Sequence, residues 1–446
     1  MHTMESVQQN LYRTLVFTGL LFNPAIGLAL EFQPGIGVGF EYTDNAGLTE
    51  DNKESDLIAI GYVGASLAEK TGPLQYAATT SFNNQSYTQG TFPDQRYFNL
   101  AADVDWEVAR DYLNIFVSDY YSQRPVRTLN ANTPNNIQDS NIITLGTIFN
   151  APISARQNFS LTPVYRQYYY EVLATDNNQY SVDANWNYLF TRLTSVGLNF
   201  GVRNIDYTET NALGNSLPTT TFTNGSVLVS SQRKSSNFSI NMGITNVQRE
   251  GGGDTTGFTG RANWLASLTS RSTLDVSALT NLTDTSSVAL AAAAAPVPGN
   301  PDDVQLSTDV IRNSLFSLRY QHDHASLKSS VWGEYRKIEY SNSPLDRIVR
   351  TFGVQFSYPI TQLLSSSSYV SYNRTEQLDT IREDERYKIG GNLNYNFSRK
   401  LNGKFDLTYR TKESTNVTQN YKAFSVFFSL VYGYGDVYRP SRSAGF

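Results

Sequence analysis

The chain has 446 residues, no cysteine and a formal net charge of −5. The lack of cysteine excludes disulfides, thiolate metal sites and cysteine nucleophiles, and the weak negative charge gives no reason to expect a nucleic-acid partner. Charged residues make up 17% and aromatic residues 13% of the chain, and the mean hydropathy is −0.37. After the N-terminal region, no segment approaches the ~20 apolar residues of a membrane-spanning helix. Two classes remain, a large secreted β protein and a transmembrane barrel whose apolar residues occupy alternate positions.

The N-terminal region has the layout of an export signal. Arg13 precedes an apolar stretch over residues 15–22, and the tripeptide Gly27-Leu28-Ala29 has the small residues that favour signal-peptidase cleavage. We therefore interpret 1–29 as a signal peptide, with a mature chain starting at Leu30. The alternative is an ordinary buried N-terminal helix.

Alternation of apolar and polar residues with period 2 recurs along the mature chain. It is clearest over residues 98–108, 180–190, 258–268 and 387–397. Segments of about ten or more residues cross a bilayer as tilted strands, whereas strands of soluble proteins average about half that length. The alternation therefore favours a membrane barrel over a soluble sandwich.

The connections between these segments alternate in length. Short polar turns are expected at residues 109–111, 191–194, 269–272, 359–361 and 398–401, and long Asn/Asp/Gly/Pro-rich connections near 44–55, 123–138, 209–219, 248–256, 284–305, 341–346, 374–384 and 412–419. Short periplasmic turns and long extracellular loops are typical of outer-membrane barrels. We predict an all-β, transmembrane, antiparallel up-and-down β-barrel of about 20 strands (18–22). The barrel spans 30–434, ends on an aromatic-rich strand at 424–434, and precedes a C-terminal tail, 435–446.

The opening of the mature chain carries a family resemblance. Residues 37–45, Gly-Val-Gly-Phe-Glu-Tyr-Thr-Asp-Asn, resemble the Tyr-(Ser/Thr)-Asp-Asn signature of a family of outer-membrane β-barrel porins, many of which are encoded with exopolysaccharide biosynthesis and export systems. The aromatic-x-Leu/Phe-Thr/Ser-Arg-Leu turns at 188–193 and 395–401 are similar to the same group. The resemblance implies a conduit in the outer membrane of a Gram-negative bacterium, for export of an exopolysaccharide or passage of hydrated polar solutes.

The polar positions of the alternating segments are expected to line the lumen. The charged residues in this set are Asp103, Asp105, Glu107, Asp183, Arg203, Arg261, Lys328, Glu334, Arg336, Lys388, Lys404, Asp406 and Arg410. Because the two signs are mixed, the lining favours sugars and other weakly charged solutes over a single ion type. Arg124 and Arg127 mark the connection 123–138 as a candidate constriction loop. For this connection and for 284–305, a solvated outward excursion is preferred over an inward fold.

The search for chemistry returns no catalytic centre. His322 and His324 are expected beside a periplasmic turn and away from lipid, and spacing supplies no third ligand for a metal between them. We therefore expect no enzyme activity, no metal and no cofactor. The expected partners are outer-membrane lipid and periplasmic components of a polysaccharide export system, without nucleic acid. The alternative functions are a structural or adhesive barrel whose loops close the lumen and, ranked lowest, a barrel enzyme.

Overall fold

The computed structural model describes residues 31–210, 216–294 and 304–437. These residues form twenty strands, one α-helix, α1 (Thr285–Ala294), and two short 3-10 turns, Pro134–Asn136 and Val417–Gln419. The strands are β1 (Glu31–Thr43), β2 (Asp56–Glu69), β3 (Leu74–Tyr87), β4 (Gln95–Ala109), β5 (Leu113–Pro125), β6 (Ile137–Ser154), β7 (Gln157–Tyr170), β8 (Asn177–Leu189), β9 (Thr194–Tyr207), β10 (Thr220–Arg233), β11 (Ser236–Arg249), β12 (Thr255–Thr269), β13 (Ser272–Asp284), β14 (Val310–His324), β15 (Leu327–Tyr340), β16 (Arg347–Pro359), β17 (Leu364–Gln377), β18 (Glu383–Asn396), β19 (Leu401–Ser414) and β20 (Tyr421–Gly433). No described helix is long and apolar enough to cross a membrane.

The strands close into a barrel. Each strand pairs antiparallel with the next, and β1 returns to β20 in a register that runs from Gly35 opposite Gly433 to Thr43 opposite Ser425. The predicted barrel of about 20 strands is confirmed. The predicted signal peptide and the end of the predicted tail, residues 438–446, lie outside the described residues.

Alternation along each strand separates an outer face from an inner face. On β1 the outer positions Ile36, Val38 and Phe40 are 48–59% exposed, whereas the inner Glu41 and Thr43 are buried. Thirteen or fourteen residues at about 3.3 Å each, tilted by about 45°, cover the ~30 Å apolar core of a bilayer. The exposed apolar side chains therefore form the lipid-facing surface.

The signature residues near the N-terminus fasten the seam between the first and last strands. The Asp44 carboxylate accepts the Phe424 backbone N–H at 2.7 Å. The buried Asn45 amide donates to the carbonyl oxygens of Thr49 (2.6 Å) and Lys422 (3.0 Å), and its oxygen accepts the Thr49 N–H. The motif thus ties the first extracellular loop to β20.

After β20 the chain turns into the lumen. The Tyr434 carbonyl accepts the hydroxyl of Tyr62, an inner residue of β2, and Lys404 binds Asp436 at 2.6 Å. Val437 is buried against inner residues of β2, β3 and β20. A side chain at Gly39 of β1 would press on Val437, so the inner glycines of β1 make room for the start of the tail.

The two histidines lie on the outer face of β14, which corrects the expectation that they avoid lipid. The β14–β15 turn is at residues 325–326, as expected. His322 continues the outward phase of Phe316 and Tyr320, and its ring stacks on those of Tyr320 and His324. The phase of the strand, which places Arg319 and Asp323 inward, dictates this orientation. Among the described residues, no group of three His, Cys, Asp or Glu is placed to hold a metal ion.

We predict that Asn45→Ala lowers the free energy of unfolding in lipid vesicles by about 1–3 kcal/mol, because it leaves buried backbone groups of the seam without partners. Urea titration of the refolded barrel measures this change. Asp51→Ala, at an exposed position of the same loop, is the control and should be neutral. Equal effects of the two substitutions would show that the motif does not fasten the seam.

Candidate functional site

The lumen is the candidate functional site. A barrel of twenty strands is too wide for its own side chains to fill. Two connections on the extracellular side fold into it. They are the crossing loop, residues 126–136 between β5 and β6, and the helical loop, described over 285–294 and 304–309 between β13 and β14. The expectation that both are outward excursions is wrong, because each loop finds partners on the inner wall.

The crossing loop reaches the part of the inner wall formed by β16 to β19. The carbonyl oxygen of Leu129 accepts hydrogen bonds from Lys412 Nζ at 2.5 Å and Arg382 Nη2 at 2.7 Å. The hydroxyl of Thr128 accepts one from Arg347 at 2.8 Å, and its carbonyl one from Arg386 at 3.4 Å. We call these four cationic side chains the luminal cation cluster, defined as Arg347, Arg382, Arg386 and Lys412. The loop is therefore bonded far from the strands that carry it.

Three of the four members of the luminal cation cluster surround one carboxylate. Asp384, which is buried, lies 3.0 Å from Arg382, 3.1 Å from Lys412 and 4.0 Å from Arg386. Lys412 is 1% exposed, so its charge depends on Asp384 and on the Leu129 carbonyl. Removing one partner of such a buried pair costs about 3–5 kcal/mol. Because Asp384 alone cannot accept all the hydrogen bonds that these cationic side chains can donate, some of their N–H groups bind the loop carbonyls.

The two arginines predicted for a constriction do not make these contacts. Arg124 is buried near the end of β5, and Arg127 is exposed in the crossing loop. The loop instead offers backbone carbonyls and one hydroxyl to cations of the wall. Its own shape is set by Asn136, whose amide bonds the backbone of Arg127 in both directions.

The helical loop begins with a capped helix. The carboxylate of Asp284 accepts the Ser287 N–H at 3.0 Å, which is an N-cap, and alanines fill the following turns. Asp284 also forms an ion pair with Arg203 at 3.7 Å and accepts the Gln179 amide at 3.1 Å. These bonds direct the helix toward the inner wall.

The apolar face of α1 packs on the inner wall of β6 and β7. Ala289, which is 3% exposed, lies in one cluster with Ile142, Tyr168 and Tyr170, and Leu290 packs at its edge. These wall residues are on the opposite face to the outward Leu145 and Tyr165. The alanines allow close approach of the helix, so the loop occupies space within the barrel.

Gln305 joins the two loops. Its amide oxygen accepts the Thr128 N–H at 3.1 Å and its amide nitrogen donates to the Val126 carbonyl at 2.8 Å. Its backbone carbonyl accepts the Tyr340 hydroxyl at 3.1 Å. The two loops therefore form one connected obstruction, bonded to both sides of the lumen.

The structure places all the sequence-predicted lining residues on the inner phase of their strands. They are Asp103, Asp105 and Glu107 on β4, Asp183 on β8, Arg203 on β9, Arg261 on β12, Lys328, Glu334 and Arg336 on β15, Lys388 on β18, and Lys404, Asp406 and Arg410 on β19. The cavity below α1 brings together Arg203, Arg261, Glu334 and Arg336. Asp103, Asp105 and Glu107 lie near the periplasmic end of β4, away from it.

The inner charges are segregated by sign around the barrel. On β1 to β4 the described inner face carries no lysine or arginine. Its charged side chains are acidic and include Glu41, Asp56, Asp103, Asp105 and Glu107. On β14 to β19 it carries nine basic residues against four acidic ones. The basic residues are Arg319, Lys328, Arg336, Arg347, Arg386, Lys388, Lys404, Arg410 and Lys412, and the acidic ones are Asp323, Glu334, Asp384 and Asp406. The inner charges are therefore mixed in total, but they form an acidic wall on one side of the lumen and a mainly basic wall on the other.

Sequence reasoning missed the residues that hold the loops. Arg386 and Lys412 have the same phase as the predicted Lys388 and Arg410, so alternation alone was enough to place them inward. Nothing in the local pattern shows that they bind loop carbonyls, because those partners are more than 250 residues away in the chain. Gln305 carries no signal of its own.

Comparison with known proteins supports the interpretation of the chain as a porin-like β-barrel. Residues 345–433, which contain β16 to β20, match the family described as "Putative beta-barrel porin 2". The predicted resemblance to β-barrel porins is confirmed, and the protein is an outer-membrane barrel. No curated protein sequence matches the chain.

Solved structures of outer-membrane proteins share the fold of the barrel. The siderophore receptor PirA from Acinetobacter baumannii superposes with a TM-score of 0.51 at 9% identity, over 92% of this chain and 81% of that one. The FrpB iron transporter from Neisseria meningitidis (F5-1 variant) gives 0.50 at 10% identity, over 90% and 82%. At these identities the likeness shows the fold alone.

We predict that the double variant Lys412→Met/Asp384→Asn releases the crossing loop, because it removes a cation that binds Leu129 together with the anion that holds the cluster. The chain lacks cysteine, so a single Asn130→Cys reports access to an impermeant maleimide. We expect labelling of this cysteine to become several-fold faster in the double variant. Lys422→Met, on the exposed outer side of β20, should leave the rate unchanged. An unchanged rate in the double variant would contradict the anchoring role of the cluster.

Proposed function

We propose that the barrel is a gated conduit for an exported polysaccharide, or for hydrated polar solutes of the same chemistry. The observation that carries this proposal is a closed barrel whose lumen is obstructed by two loops that are bonded to each other and to the wall. A purely structural barrel needs no such loops, whereas a wide pore that must not leak does.

The inner wall supports a saccharide as cargo. Between the charged positions it presents hydroxyl and amide groups, among them Ser317, Asn263 and Asn313, which suit the hydroxyls of sugars. The resemblance to porins encoded with exopolysaccharide systems favours the same class. We propose no catalytic role and no cofactor, and we propose periplasmic components of an export system as partners.

Conductance in planar bilayers tests the conduit. Asp284 lies opposite Val310, and Pro125 lies opposite Ile137, so a two-residue Asn-Gly turn can replace each loop without disturbing the strands. We predict small or rare openings for the wild type and a stable conductance several-fold larger when both loops are replaced. Replacement of the exposed connection 250–254 by a short turn is the control and should change little. A loopless barrel without openings would overturn the proposal.

The second candidate is a structural or adhesive barrel that its loops keep closed; the bonded loops are compatible with this function, but it does not require them. The two functions differ in the native host. Loss of a conduit leaves polysaccharide in the periplasm and lowers the amount outside the cell. Loss of a structural barrel alters cell-surface adhesion and leaves that distribution unchanged.

A further inference from the structure

We propose that the cavity below α1 is a binding site for a carboxylate-bearing sugar, with Arg261 and Arg319 as the ligands of the carboxylate and Trp332 as the platform for the ring. This inference deepens the proposed function and rests on it for the claim that such a sugar reaches the lumen. The cargo is then an acidic saccharide rather than a neutral one.

The cavity has the size and lining of a sugar site. Its volume is about 720 Å³, within the range of ligand pockets. It lies between the helical loop, through Ser287, Val288 and Ala291, and the inner wall formed by β9 and by β12 to β16. Along this wall, Asn263, Ser277 and Ser317 offer amide and hydroxyl groups. The site therefore lies within the lumen, where a passing chain would meet it.

Four arginines and two acids give the cavity a net positive charge of two. The arginines are Arg203, Arg261, Arg319 and Arg336, and the acids are Asp275 and Glu334. Arg203 is engaged by Asp284 at 3.7 Å and Arg336 by Glu334 at 3.3 Å. Within the described part of the chain, Arg261 and Arg319 have no carboxylate within 4.0 Å. Asp275 lies opposite Arg319 in the β13–β14 register but not within 4.0 Å of it, so both guanidinium groups remain for a ligand, and their fork geometry suits a carboxylate.

Trp332 provides the flat surface that a sugar ring needs. It lies on the inner phase of β15, opposite Arg319 on β14 and Gly353 on β16. A Cβ at Gly353 would overlap the indole ring, so the ring lies flat along the wall over this glycine. The indole N–H is buried and has no hydrogen-bond partner among the described residues. A tryptophan beside an arginine thus presents a face for stacking of a sugar ring.

The barrel supplies its own reporter for this site. Of the four tryptophans, Trp106, Trp186 and Trp264 are on the outer phase of their strands, and Trp332 is on the inner phase. A variant in which the three outer tryptophans are replaced by phenylalanine therefore fluoresces from the cavity. Titration of this variant in detergent with trigalacturonate, and with neutral maltotriose for comparison, measures binding directly.

We expect trigalacturonate to change the Trp332 fluorescence with saturation and to bind about tenfold or more tightly than maltotriose, because hydrogen bonds between charged groups are the stronger ones. Arg261→Gln and Arg319→Gln should each weaken trigalacturonate about tenfold. Arg350→Gln, on the outer phase of β16, is the control and should be within about twofold of the parent. Gly353→Ala, which displaces the indole, should weaken both sugars.

Equal affinity for the two sugars, or full trigalacturonate affinity in the Arg261→Gln/Arg319→Gln double variant, would overturn the site. Bilayer conductance separates this outcome from failure of the conduit. If the barrel conducts without its loops but does not prefer the acidic sugar, the proposed conduit stands and the proposed binding site is rejected. If the barrel binds trigalacturonate but never conducts, the proposed binding site stands and the proposed conduit is rejected. Free monomeric galacturonate in the same titration distinguishes recognition of a single sugar acid from recognition of a chain.

Discussion

Closure of the sheet between β1 and β20 is the constraint on which the rest of the structure depends. In the apolar part of a bilayer no water satisfies a free backbone N–H or C=O, so a sheet that crosses it must have no edge. Nine register pairs join the first and last strands, and Asp44 and Asn45 fasten the extracellular end of this seam. With the seam closed, alternation sorts the side chains into a lipid face and a luminal face. Within the membrane, the side chains that a polar solute can meet are therefore those of the luminal face.

A lumen of this width presents a second physical problem, which the loops solve. Neither loop brings a compact apolar core of its own. The crossing loop relies on carbonyls held by Arg347, Arg382 and Lys412, and the helical loop on the cap at Asp284 and on alanines that fit against Tyr168. The hydrogen bonds among these contacts are directional, few and open to competition from water or an anionic ligand. They fit the proposed gating, in which the obstruction must form reliably and still be displaced.

The barrel was predictable from sequence because its rule is local. Period-2 alternation places Val182 outward and Asp183 inward whatever the rest of the chain does, and the alternation of short and long connections supplies the strand number. The same rule gave the inner phase of Arg261 and Lys388. The rule holds for His322 as well: the prediction was wrong because it assumed that a polar residue avoids lipid, whereas the phase of β14 places His322 outward.

The obstruction was not predictable, because its contacts join residues far apart in sequence. Leu129 and Lys412 are 283 residues apart, and Thr128 and Gln305 are 177 apart. The charges of Arg124 and Arg127 predicted a constriction, whereas the contacts of the crossing loop to the wall use backbone carbonyls and one threonine hydroxyl. The separation of acidic and basic walls cannot be predicted from composition either, because it depends on where strands such as β4 and β19 lie around the lumen.

Proximity of the two loops inside the lumen is the central claim, and cross-linking in intact cells tests it most directly. In a chain without native cysteine, Thr128→Cys and Ser307→Cys place two thiols beside the point where the loops bond to each other and keep the Gln305 side chain that joins them. A short bifunctional thiol reagent should join them within one chain, as detected by mass spectrometry of the digested protein. It should also hold the pore closed until the link is cleaved. The contrary result is no cross-link, with both cysteines labelled from outside as fast as one placed at Asp51.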